Sequence, residues 1–299
     1  MKSAKSTSKA LLRAAAAMTL VLVYSYQAFP SPADPPVPPG RNPGGQPVAF
    51  INGGIDYTRP PFSTMLARDG EGEIIGYDFA DDDRRPYDAN GDTAAAGILL
   101  GEGQAATLVL LRASAGNTIS IGKAIGYAAK SPARIVAITL PMQTTNMKTL
   151  LSAATARFPS QLFIVAAGDD GLDLDANRAP EAAALPNVIV VTSAQERGTL
   201  TTNANSGASS VDLAINSTAR LDHTAWSPNT GNGQAPSNGT IALARLTALA
   251  ARLRAVEPEL PAAGLKEKIM TLAAPLPGAD SHKTRGGWIA EPWRHFWLE

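Results

Sequence analysis

Val48-Ala49-Phe50-Ile51-Asn52-Gly53-Gly54-Ile55-Asp56 is the stretch on which the reading of this chain turns. Four consecutive apolar residues run directly into an amide side chain and a glycine pair. An unbroken apolar run is how a strand buried on both faces of a parallel sheet reads. Similar runs recur at residues 106–111, 134–140, 162–167, 188–193 and 211–215. Helical patterns lie between them. Ile121, Ile125 and Ala128 share one face; Leu151, Ala154 and Phe158 share another, after a candidate N-cap at Asn146. From Thr240 onward, Ala242, Leu246, Leu249 and Leu253 form a third stripe. Strands alternating with helices predict an α/β domain: doubly wound, with a mostly parallel sheet and helices on both faces. Ligands of such sheets bind at the carboxyl ends of the strands. Asn52 falls at one of those ends.

Composition narrows the functional classes. The chain has 299 residues, of which 44% are hydrophobic, enough for a sizeable core. Lys+Arg and Asp+Glu are 26 each, so no basic field exists to attract nucleic acid. There is no cysteine, which excludes disulfides, thiolate nucleophiles and zinc–thiolate sites. Nothing in the sequence calls for a cofactor or a metal.

Lys2, Lys5, Lys9 and Arg13 precede an uncharged stretch over residues 14–29. This predicts a signal peptide or signal anchor over 1–29, and an exported domain on the periplasmic or extracellular face. Contact with a membrane is expected only through this segment. Residues 30–47 are rich in Pro and Gly and read as an extended linker. The folded domain is expected over 48–299.

The order and spacing of several short segments resemble the subtilases, the subtilisin-like serine proteases. Residues 51–60 follow the first motif of that family. Gly76-Tyr77-Asp78-Phe79, then Asp81, Asp82, Asp83, Asp88 and Asn90-Gly91, resemble its lead-in to the catalytic histidine. Thr93-Ala94-Ala95-Ala96-Gly97 matches Thr-His-Val-Ala-Gly. Ala166-Ala167-Gly168-Asp169 matches Ala-Ala-Gly-Asn, Asn238-Gly239-Thr240 resembles the approach to the nucleophile, and Gly286-Gly287-Trp288 the closing segment. The resemblance covers almost all of residues 48–299 and implies a subtilisin-like fold.

It also implies which chemistry is missing. The family's Asp position holds Asn52 and its His position holds Ala94. The nucleophile position holds Thr240 in one register and Ile241 in the other. Asp169 stands where an Asn would complete the oxyanion hole. Acyl transfer needs an activated nucleophile, a base and a group that orients the base. In subtilisin, loss of the triad costs about 2 × 10⁶ in turnover. Loss of the oxyanion donor costs about 10²–10³. Together these are on the order of 10 kcal/mol of transition-state stabilisation. The resemblance with these departures implies a catalytically inactive subtilisin-like domain with a binding or scaffold role toward a protein or peptide partner. The alternative is an active serine-type endopeptidase of this family with rearranged catalytic residues.

Further expectations follow. Thr139-Leu140-Pro141-Met142 occupies the family's substrate-pairing edge, and Pro141 removes one N–H from it. The short passage through residues 101–105 implies loss of the loop that carries calcium in many relatives. The acidic run from Asp169 to Asp175 reads as a solvated loop. Of the three histidines, His223, His282 and His295, only His223 precedes the nucleophile segment closely. Arg245 and Arg252 share a side of the helix after that segment. They are expected either to be exposed or to pair with an acid such as Asp169.

Overall fold

Each long apolar run forms a strand of one sheet. The computed structural model describes residues 34–89, 91–104, 106–141, 145–176, 185–219 and 235–294. The strands are β1 (Gln46–Asn52), β2 (Tyr77–Asp78), β3 (Ala106–Arg112), β4 (Ile135–Ile138), β5 (Leu162–Ala166), β6 (Val188–Ala194), β7 (Leu213–Asn216) and β8 (Trp288–Ile289). Their order is β2-β3-β1-β4-β5-β6-β7-β8, and every neighbouring pair is parallel. Strand order reverses around β1, so the crevice expected of a doubly wound sheet opens at the carboxyl ends of β1, β3 and β4.

Both faces of the sheet are buried, which explains why the strands read as continuous apolar runs. Phe50, Leu110, Ala137, Ile164 and Val191 point to one face, toward α2 (Thr93–Gly103), α5 (Asn238–Val256) and α6 (Ala262–Thr271). Ile51, Val109, Val136, Phe163 and Val190 point to the other, toward α3 (Thr118–Lys130) and α4 (Thr145–Arg157). A short α1 (Pro60–Thr64) follows β1.

The helices begin where polar side chains can take their first amides. The Asn117 side chain accepts from Ile119 N at 3.0 Å and Ser120 N at 3.2 Å, starting α3. Ser237 Oγ accepts from Thr240 N at 3.2 Å, starting α5. The expected cap at Asn146 is corrected: α4 already begins at Thr145, so Asn146 lies inside the helix.

Helix α5 is the central helix, buried along nearly its whole length. Of the two expectations for Arg245 and Arg252, exposure is corrected, since both are buried, while pairing with an acid holds for Arg245, the acid being Glu102 rather than Asp169. Arg245 has no exposed surface. Its Nε donates to Glu102 Oε1 of α2 at 3.0 Å, and its other nitrogens donate to Asn216 O at 2.7 Å and Ala219 O at 3.1 Å. Its guanidinium lies 4.7 Å from the Trp293 ring centroid. Arg252 donates to the Glu102 and Pro292 carbonyls. Burial lowers the Arg252 pKa to about 10 despite the Glu102 charge, and burial raises that of Glu102 against the pull of both arginines. Charges so enclosed are tolerable only with full pairing.

Residues Pro36–Glu299 form one compact unit, and of Met1–Pro35 only Asp34 and Pro35 are described. The signal or anchor segment at 14–29 therefore lies outside the described residues. From Pro36 the Pro-rich stretch is laid on the domain: Val37 packs against the core, and Arg68 donates to Pro38 O at 2.7 Å. No helix among the described residues is long and apolar enough to cross a membrane.

Candidate functional site

Five segments converge at the carboxyl end of the sheet. Asn52 ends β1 and is fully buried. Its Oδ1 accepts from Gly54 N at 3.1 Å, and its Nδ2 donates to Gly54 O at 3.4 Å. The side chain thus closes a local turn rather than reaching toward a partner ring. Gly54 has φ 106°, and a Cβ there would lie 2.7 Å from Asp88 Cβ, so the turn demands glycine. Its carbonyl also accepts from Asp92 N at 2.9 Å, which brings the start of α2 against the end of β1.

Asp92 caps that junction. Its carboxylate accepts the Thr139 hydroxyl, from the end of β4, and the Gly53 amide. Burial raises its pKa above the usual 3.8; Asp88 adds to the rise, and the two hydrogen bonds oppose it. Ala94, two residues on in the first turn of α2, contributes only a methyl group.

The other half of the site is made by β5 and α5. Asp169 lies three residues past the end of β5. Its two carboxylate oxygens lie 3.1 and 3.2 Å from Gly239 N, in the first turn of α5. A Cβ on Gly239 would fall 2.6 Å from Asp169 Oδ2, so the bare glycine is what admits the carboxylate. The placement is favourable because helix N-termini carry positive potential and unpaired amides. The Thr240 hydroxyl accepts from Ser237 Oγ at 3.1 Å, while Ile241 packs against the apolar core. Beside Asp169 lies a polar hollow of about 330 Å³, bordered by Thr201, Asn203, Ser237 and Asn238.

The residues of the expected peptide edge part company. Thr139 N donates to Ile51 O at 3.1 Å and its hydroxyl to Asp92, so both donors are engaged. Leu140 turns into the core with 7% of its surface exposed. Pro141 is exposed, and Met142 lies outside the described residues. His223 and His295 also lie outside them, and His282 is exposed. In the acidic run, the Asp175 carboxylate accepts from Ser209 N and Ser210 N, both at 2.9 Å, and Asn205 serves Asp170 and Leu172.

Sequence reasoning passed over Asp92 and Glu102. Asp92 stood two residues before Ala94 in a motif read only for its histidine. The sequence carried no sign that its carboxylate meets Thr139, 47 positions away.

An eight-stranded parallel sheet wrapped by helices, with a candidate site at its carboxyl end, defines a doubly wound α/β protein. No family model matches the chain. It is 31% identical over 181 residues to a thermophilic serine proteinase from Bacillus sp. (strain AK1). That alignment takes in 54% of this chain and 42% of the relative, so the chain spans less than half of that relative's length. The fold is that of a cold-adapted subtilisin-like serine proteinase, with TM-score 0.65 and 19% identity over 87% of this chain and 93% of that one. A lanthipeptide protease is similar, with TM-score 0.64 and 17% identity over 84% and 88%. The chain thus has a subtilisin-like fold and is similar in sequence, over about half of its length, to a serine proteinase.

Proposed function

We propose that this is a non-hydrolytic subtilisin-like domain, exported, whose strand-end site binds a protein or peptide partner without cutting it. The observation that carries the reading is the Asp169 carboxylate seated on the amide of Gly239. A tetrahedral intermediate builds negative charge that needs preorganised donors. Here the donor at the helix start already holds a carboxylate. A second anion about 4 Å away would be repelled by about 4 kcal/mol at an effective dielectric near 20. The residues at the other family positions support the same reading. Asn52 is locked to Gly54, Ala94 has no ring, and the Thr240 hydroxyl is engaged by Ser237 rather than by a base. The basic start and the uncharged stretch at 14–29 support export.

The test is labelling of the full chain with a fluorophosphonate probe, beside a heat-denatured control. The expected result is no labelling above that control. Specific labelling would overturn the proposal.

One observation favours a second reading, an endopeptidase with rearranged residues: the contact between the Thr139 hydroxyl and the Asp92 carboxylate. A carboxylate of raised pKa beside a hydroxyl is a possible base–nucleophile pair. That reading requires labelling that disappears in Thr139→Val and in Asp92→Asn alike.

A further inference from the structure

Helices α3 and α4 cover the sheet face opposite α5, and an apolar groove lies between them. It encloses about 640 Å³, within the roughly 300–1,000 Å³ of small-molecule sites. Its floor is apolar, with Ile125, Leu150, Ala154 and Phe158 prominent. One wall is bare of side chain at Gly126, where a Cβ would meet nothing within 4 Å. Gly122 brings the helices close, its Cβ position lying 3.4 Å from the Leu150 side chain.

The charged residues lining the groove are Lys123, Lys130 and Arg157, all cations. Lys123 and Lys130 are two helical turns apart and share a side of α3. None of the three forms an ion pair among the described residues. Arg157 lies across the end of the groove, 5.6 Å from the Phe158 ring centroid. Both walls are helices, whose interior amides and carbonyls are engaged along their own axes. The groove therefore cannot take a peptide by strand pairing. What it offers is apolar contact below and positive charge at the rim, where lysine stems extend the apolar surface and carry the charge to its edge.

We propose that this groove binds a free single-chain anionic amphiphile of the long-chain carboxylate type. The alkyl body lies along Ile125, Gly126, Leu150 and Phe158. The head group meets Lys123, Lys130 or Arg157. The inference is independent of the reading of the strand-end site and stands whether or not that site is active.

Calorimetric titration of the full chain tests it, with dodecanoate kept below its micelle-forming concentration. The expected result is saturable one-to-one binding, at least tenfold tighter than that of dodecyltrimethylammonium and weakened by added salt. Gly126→Leu fills the groove with a residue of higher helix propensity, so it should keep the fold and weaken binding at least tenfold. Ala153→Leu, at an exposed position on the opposite wall, does the same without touching a glycine. Arg157→Glu should reduce affinity with thermal unfolding unchanged. Absence of saturable binding overturns the proposal, as does equal affinity for the cationic analogue. So does dodecanoate binding unchanged in both filling variants, or uptake by phosphatidylglycerol-containing vesicles with none of monomeric dodecanoate.

Discussion

The interface of α2 with α5 and the strand-end site both carry polar groups in unusual places, and they treat them differently. In the interface, Glu102, Arg245 and Arg252 come from two helices and are linked across the core, with carbonyls of Asn216, Ala219 and Pro292 from two further segments completing the set. At the strand ends, Asn52 bonds within its own turn and Asp169 bonds to one backbone amide. The interface groups hold distant parts of the chain to each other. The strand-end groups bond to backbone instead, Asn52 within its own turn and Asp169 to the amide of Gly239, 70 positions on, and neither bond joins a hydroxyl to a base. A fold can thus tie its interior together through charged side chains while its strand ends rest on contacts to the backbone.

The comparison breaks first at Glu102. Glu102→Ala strips two buried arginines of their carboxylate and should cost about 3–5 kcal/mol in urea unfolding. Adding Arg245→Met should recover much of that loss, because apolar replacement of an enclosed ion pair is often near neutral. Failure of the double variant to recover would show that the arginine's carbonyl contacts matter more than its charge. Asn52→Ala should cost less, about 1–3 kcal/mol, by leaving the buried Gly54 amide without its acceptor. A loss equal to that of Glu102→Ala would mean the strand-end site is also part of the framework.

Asp169→Asn should lose only about 0.3–1 kcal/mol, the worth of a charge at a helix start, and more at low salt. Fluorophosphonate labelling should remain at background in this variant; its appearance would mean that the carboxylate alone suppresses activity. The smallest effect is expected at Asp92, and it depends on pH. A carboxyl whose folded pKa is raised contributes stability below its unfolded value, near 3.8, and loses that contribution as pH rises through the folded value. Asp92→Asn should therefore match or fall below wild type in acid and gain on it toward neutral pH, read as Tm across a pH series. A gap independent of pH would show that Asp92 is not held protonated in any part of that range.

The six longer strands were legible because both faces of the sheet are covered, so each had to be apolar throughout. Strands β2 and β8 were not, since two residues carry no periodicity and their pairing is decided by β3 and β7. Arg245 was noticed as out of place on an apolar helix. Its partner was not, because Glu102 lies 143 positions away and helix packing alone brings them together. At the site, the identities of Asn52, Ala94 and Asp169 were readable, but their contacts were not. The seating of Asp169 depends on a glycine in another segment. Leu140 looked available for a peptide on sequence alone, and the structure buries it because the chain turns inward after β4.

The order of strands sets a schedule for the nascent polypeptide. Among the described strands β1 is made first, and it must be flanked by β3 and β4 before it is shielded. The outer edge of β7 has no neighbour until Trp288 and Ile289 emerge. For the time needed to synthesise some seventy residues, that ladder of unsatisfied amides and carbonyls is open to pairing with another chain. Fragments ending before residue 288 should thus be aggregation-prone however intact the rest of the sheet, and biogenesis rather than chemistry becomes the stage at which this molecule is most exposed to failure.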